Sequence, residues 1–183
     1  GGFEQGAQHA HRRRLPGAVG AEKAVDLARS DREVDARDGV VAAEAPAELL
    51  PALGVAEARF VGKNAFDYLV EVDSEATLRG LSPDHSMLRK LPVRGVIVTA
   101  RSSMPEFDFV SRFFAPGSGI DEDPVTGSAH TALGPYWAGL LGKREFTAFQ
   151  ASARGGVIRV RLEGDRVKLG GQAVTVMTGE LLA

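Results

Sequence analysis

One long helical stripe stands among many short strand-like runs, and that imbalance is the strongest constraint on what this chain can fold into. The helix is expected from Gly127 to about Leu141. Ala129, Leu133, Tyr136, Trp137, Leu140 and Leu141 fall largely on one stripe, and Gly142 occupies the usual helix-stop position. Phe66, Tyr68, Val70 and Val72 alternate with Asp67, Leu69 and Glu71, which predicts a strand with one apolar face. Gly95–Ala100 reads as a buried strand, and Phe107–Phe114 as another with Phe107, Phe109 and Phe113 inward. Further strands are expected over Phe146–Ser152, Val157–Leu162, Val167–Leu169 and Ala173–Met177, with turns at Gly155-Gly156 and Gly164-Asp165. Ser74 is placed to cap a short helix running to Leu81, and Ser82-Pro83 to open a second. A doubly wound parallel sheet would need a helix after nearly every strand. The expected class is therefore α+β with mostly antiparallel pairing.

Before residue 49 this regularity is lost. Residues 1–48 hold eleven Ala but only eight large apolar residues, and Ile, Tyr and Trp are absent. Ala21–Arg29 has the length of a short helix, with Val25 and Leu27 only loosely on one side. The division expected is an unassigned segment over 1–48 and a structured region over 49–183. With 22 Lys and Arg against 24 Asp and Glu, the net charge of −2 gives the whole molecule no field that would draw in nucleic acid or an anionic membrane. The chain has no Cys, which excludes disulfides and thiolate chemistry. No apolar run approaches the roughly 18 residues of a membrane span, so a cytoplasmic protein is expected.

The richest chemistry lies in Gly119-Ile120-Asp121-Glu122-Asp123-Pro124-Val125-Thr126-Gly127-Ser128-Ala129-His130. Three acids precede a proline, and a small Thr-Gly-Ser turn then opens the long helix. Free N–H groups at such an opening, together with the helix dipole, favour a bound carboxylate or phosphate. A side-chain carboxylate beside it suits proton transfer at the carbon next to a substrate carboxylate, with Asp123 or Glu122 moving the proton. The alternative is ordinary capping, with Thr126 or Ser128 closing the helix and the acids complementing its dipole. His130 is expected either to point into a cleft or to pack beside Tyr136 and Trp137. A Ser128, His130, Asp123 hydrolase arrangement fails, because residues two apart on a helix do not face each other. The run His9-Ala10-His11-Arg12-Arg13-Arg14 reads as a solvated tail rather than a metal or nucleic-acid site.

Gly119–His130, continued by Leu133, Pro135, Tyr136, Trp137, Leu141, Gly142 and Lys143, resembles the hallmark of the phenazine-biosynthesis-like (PhzF-like) isomerases. Their pattern here is G-I-x-E-D-P-V-T-G-S-A-H, then L-x-P-Y-W and L-G-K. Gln150-x-Ser152-x-Arg154-Gly155-Gly156, Gly171-Gln172-Ala173-Val174 and Asn64-Ala65-Phe66-Asp67-Tyr68 resemble other parts of the same family. The resemblance implies a diaminopimelate-epimerase-like fold, in which two similar halves each wrap a sheet around a central helix and the active site lies between them. It implies cofactor-independent isomerisation or epimerisation of a small carboxylic acid, with no metal and no pyridoxal phosphate. Asp123 matches the catalytic acid of the second half. Gly127 and Ser128 match the helix opening that faces the substrate carboxylate; Glu122, Thr126 and Ala129 are expected to bind substrate with them, and Arg154, Gly155 and Gly156 to lie in support. The family includes dimers, so a homodimer is expected.

The departures from the pattern matter as much. Members of the family are longer, and their first half supplies a glutamate and a G-H-A-T-like helix opening that face the acid matched by Asp123. Neither is found in this sequence. An Ala- and Arg-rich segment over 1–48 reads as a truncated or out-of-frame remnant, leaving a largely complete second half and a partial first half. The rival expectation is an inactive fragment, or a non-enzymatic protein that keeps the fold and binds a small acid or a partner.

Overall fold

The structure is a computed structural model describing residues 34–35 and 39–179. The helix candidate Ala21–Arg29 and the His9–Arg14 run lie outside them. In chain order the elements are β1 (Val34–Asp35), β2 (Val41–Ala42), α1 (Leu49–Leu53), β3 (Phe60–Lys63), β4 (Asp67–Glu71), α2 (Glu75–Gly80), α3 (His85–Leu88), β5 (Gly95–Arg101), β6 (Phe109–Phe114), α4 (Gly127–Leu141), β7 (Glu145–Gln150), β8 (Gly156–Glu163) and β9 (Arg166–Gly170). The strands form one nine-stranded sheet in the order β1-β9-β8-β7-β6-β5-β4-β3-β2. Among the described residues β4–β5 and β6–β7 pair in parallel and the other neighbours pair antiparallel. The two parallel pairs are those joined through helices: α2 and α3 connect β4 to β5, and α4 connects β6 to β7. This is the α+β, mostly antiparallel arrangement expected from the pattern. The sheet reaches back across the composition break at residue 48, because Val41 and Ala42 pair with Lys63 and Gly62.

Two apolar layers cover opposite faces of the sheet. Tyr68, Val70, Val72, Val96, Val98, Ala100, Val110 and Phe114 pack with Leu49, Leu53, Leu78 and Leu88 of α1 to α3. Leu69, Ile97, Phe109, Phe113, Phe146, Ala148, Ile158, Val160 and Val167 pack with Ala129, Ala132, Leu133 and Trp137 of α4. The single apolar face expected for β4 is therefore corrected: all five of its residues are buried. Its polar members survive burial because they are partnered. Asp67 pairs with Arg94, and Glu71 accepts a 2.5 Å hydrogen bond from the Tyr136 hydroxyl. Phe66, expected to continue the inward row, is exposed, with the Arg94 guanidinium 5.5 Å from its ring centre.

The sheet curls around α4. Phe60 of β3 lies against Tyr136 at 5.1 Å between ring centres, while Trp137 donates to Thr99 Oγ1 of β5 at 3.0 Å. On the far side, Gly134 lets β8 and β9 come in close, since a Cβ there would sit 3.0 Å from Val160 Cγ1. Gly142 ends α4 in the left-handed region at φ 66°, as its position predicts.

Three local expectations change. Ser74 does cap α2, accepting from the Thr77 N–H at 3.1 Å, but α3 is capped by Asp84 rather than opened by Ser82-Pro83. The Asp84 carboxylate satisfies both the Ser86 and Met87 N–H groups, which a serine two residues earlier cannot reach. Phe107 lies before β6, half-buried and stacked on Phe149 at 5.2 Å. Ala173–Met177 forms no strand: Val174 and Val176 are 84% and 93% exposed. Strand propensity without a paired neighbour leaves backbone groups to water. No helix among the described residues is long and apolar enough to cross a membrane.

Candidate active site

The site is built where β6 hands the chain to α4. Asp123 is anchored through its N–H to the Phe113 carbonyl at 3.0 Å, and Thr126 is the N-cap of α4 with extended backbone. Its hydroxyl does not cap the helix. It donates instead to Asp123 Oδ2 at 2.5 Å, and α4 has no side-chain cap. Gly127 and Ser128 are exposed at that opening. The capping alternative thus fails for Thr126: the side chain that would close the helix orients the carboxylate. An anion can therefore meet the positive end of a 15-residue helix beside Asp123.

A clamp from β7 and the turn after it holds this loop. Gln150, fully buried, accepts the Thr126 N–H at 2.7 Å and donates to the Asp123 carbonyl at 2.6 Å and to Thr126 Oγ1 at 3.2 Å. Ser152 donates to the Pro124 carbonyl at 2.8 Å and accepts the Gly155 N–H at 3.0 Å. Gly155 has φ 71°, a conformation that favours glycine, and Gly156 passes so close to the loop that a Cβ would meet Val125 Cγ2 at 2.3 Å. The Gln-x-Ser-x-Arg-Gly-Gly stretch is the mould in which the Asp123 loop sits. Gln150 and Ser152 carried no assigned role in the sequence. The signal available was their spacing on alternate positions, which puts both on one side of an extended chain.

The remaining expected site residues divide. Glu122 is engaged by Arg112 through hydrogen bonds of 2.7 and 2.9 Å, so its carboxylate anchors the loop. Asp121 is exposed, 3.9 Å from Arg89. Ala129 faces the core, so only its backbone can belong to the helix opening. Arg154 is exposed in the turn before Gly155. His130 is fully buried, stacked near Phe109; its Nδ1 lies 2.7 Å from the Thr126 carbonyl and its Nε2 3.4 Å from Ser111 Oγ. A carbonyl only accepts, so Nδ1 carries the proton and Nε2 the lone pair. Burial pushes the imidazole pKa down to about 4 against the opposing pull of the Thr126 carbonyl, so the ring is neutral near pH 7. Among the described residues no three His, Asp or Glu side chains converge as metal ligands would.

Comparison with known proteins agrees with this architecture. The profile of the phenazine biosynthesis-like protein family (PhzC-PhzF) matches residues 32–179. The chain belongs to that family. An uncharacterized isomerase of Halalkalibacterium halodurans is 54% identical over 137 residues, covering 75% of this chain and 51% of the relative. An uncharacterized isomerase of Pseudomonas aeruginosa is 52% identical over 136 residues, covering 74% and 51%. A crystal structure of a PhzF-family phenazine biosynthesis protein from Enterococcus faecalis superimposes with a TM-score of 0.71 at 36% identity, covering 79% of this chain and 54% of that one. The chain thus spans about half the length of the curated relatives it matches.

Proposed function

We propose that this chain supplies one side of an isomerase site that moves a proton at the carbon next to the carboxylate of a small acid. Asp123 takes up or returns that proton, and the opening of α4 from Thr126 to Ala129 holds the substrate carboxylate. The observation that carries this reading is the diversion of the Thr126 hydroxyl from the helix end to Asp123 Oδ2. It leaves an uncapped helix terminus and an oriented carboxylate side by side. When the proton leaves carbon, negative charge grows toward the substrate carboxylate, where the helix dipole and N–H groups stabilise it more than in the ground state. Return of a proton to the opposite face of the same carbon gives epimerisation, and return to another carbon gives isomerisation. The relatives' isomerase names support the reaction class.

The test is hydrogen exchange in D2O against a panel of small hydroxy and amino acids. Deuterium at the reacting carbon, lost in Asp123→Asn, is the expected result. Exchange that persists unchanged in Asp123→Asn removes Asp123 from the role. Binding of a small acid without exchange or isomer conversion favours the rival reading, a non-catalytic acid-binding protein on the same fold, and the half-length match to the relatives is the observation behind that rival.

A further inference from the structure

We propose that Gln150 is a positioning residue: it commits Asp123 Oδ2 to Thr126 and so leaves Oδ1 as the oxygen that exchanges a proton with substrate, a role that rests on the reading of Asp123 as the acid–base group. The carboxamide of Gln150 has its orientation fixed by its partners. The Thr126 N–H can only donate, so it faces Oε1; the Asp123 carbonyl can only accept, so it faces Nε2. Turning the amide over would set donor against donor and acceptor against acceptor in a buried place, which costs far more than it returns. With Nε2 also donating to Thr126 Oγ1, the hydroxyl's own proton is sent onward to Asp123 Oδ2. The chain Gln150 N–H to Thr126 O–H to Asp123 carboxylate therefore runs in one direction. A proton arriving on Oδ2 would turn the acceptor of the Thr126 hydroxyl into a neutral O–H and weaken that bond, the strongest link of the chain. A proton arriving on Oδ1 leaves the whole chain intact. The buried amide thus selects one carboxylate oxygen without touching the carboxylate.

The two halves of this role separate by substitution. Burial raises the carboxyl pKa in Gln150→Glu, so this variant is measured above its titration, followed by the 13Cδ shift of the introduced carboxyl; ionised, it keeps an acceptor for the Thr126 N–H and removes both donors, whereas Gln150→Met removes all three bonds. In the isotope-labelled full chain, NMR couplings from Thr126 Cγ2 to its own N and C′ report χ1, and amide exchange reports the Thr126 N–H. The wild type is expected to show one χ1 rotamer and a protected amide. Gln150→Glu is expected to keep the protection and lose the single rotamer, while Gln150→Met loses both, with amide exchange faster by on the order of tenfold. Wild-type couplings at Thr126 in Gln150→Glu overturn the proposal, because a side chain that only fills space predicts no split between the two readouts. If neither variant folds, the wild type decides: a slowly exchanging Thr126 hydroxyl proton with a cross-peak to the Gln150 amide protons upholds the direction of the chain, and an averaged χ1 sinks it. No substrate enters these measurements, so failure here leaves Asp123 as the acid–base group, and failure of the exchange assay leaves the hydrogen-bond chain standing.

Discussion

Arg112 grips Glu122 with two parallel hydrogen bonds while its third nitrogen reaches the carbonyls of Leu78 and Leu81, at 3.3 and 2.8 Å. One guanidinium thereby ties the end of α2 to the acid next to Asp123, and its plane rests 4.8 Å from the Phe114 ring centre. Lysine cannot reproduce this fork. Arg112→Met is expected to lower stability by about 2 to 3 kcal/mol in urea denaturation, below the full cost of orphaning one partner of a wholly buried pair, since both side chains keep slight solvent contact. Adding Glu122→Gln should recover part of that loss, because the uncompensated charge is then gone. An additive double mutant would mean that the pair contributes nothing as a pair.

Glu75, at the start of α2, accepts from the Ser103 N–H at 2.7 Å and hydroxyl at 2.8 Å, from Ser102 at 3.2 Å and from Arg79 at 2.7 Å. Burial alone would raise its pKa, but these donors together outweigh it and hold the carboxyl at about 2 against an ordinary 4.5. A depressed folded pKa gives stability that is complete above pH 4.5 and is lost as pH falls toward 2. The expected contribution is about 3 kcal/mol, read as a steeper fall of the urea midpoint below pH 4.5 in the wild type than in Glu75→Gln. Parallel curves for the two proteins would contradict it.

His130 acts in a higher window. Its folded pKa of about 4 lies below the ordinary 6.5, so between those values the unfolded chain binds a proton that the folded chain refuses. Stability is therefore complete above pH 6.5 and falls as pH drops toward 4, by about 3 kcal/mol in all. His130→Asn, which can still donate to the Thr126 carbonyl, should flatten the dependence between pH 7 and 5. The accompanying signature is a neutral Nδ1–H tautomer in the 15N spectrum at pH 6. An imidazolium there would refute the assignment.

How much of this could be read in the sequence depended on whether the deciding interaction was local. Gly142, Ser74 and the extent of α4 announce themselves because a stop glycine, a cap and a stripe act within a few residues. The helix opening with Asp123 was legible for the same reason, since Asp123 and Thr126 are three positions apart. What closes the site is remote: Gln150 is 27 residues from Asp123, and Ser152 is 28 from Pro124. Burial of β4 on both faces was hidden because Asp67 and Glu71 look solvent-facing until Arg94 and Tyr136 are brought to them by the fold. Arg112 left one trace, a lone cation in an otherwise apolar or small strand, which demands a partner without naming it. The strand pattern at Ala173–Met177 shows the converse, a local preference that no neighbour among the described residues completes.

Gly156 tests whether close approach, rather than backbone freedom, is why β8 begins with glycine. Unlike Gly155, it has no positive φ, so alanine meets no conformational objection there. The objection is steric: the new methyl would lie 2.3 Å from Val125 Cγ2, inside the loop that carries Asp123 and Thr126. Either the loop or the strand must move, and overpacking of this kind costs about 1 to 3 kcal/mol. Gly164→Ala supplies the contrast, because its φ is 60° and a Cβ there meets nothing within 4 Å. Its loss is purely conformational and about 1 kcal/mol. Val125→Ala should therefore rescue Gly156→Ala and leave Gly164→Ala unimproved, as read from urea midpoints. Amide exchange at Thr126 should rise in Gly156→Ala and return in the rescued double mutant. If Val125→Ala fails to restore either quantity, the packing of β8 against the Asp123 loop is not what the glycine provides.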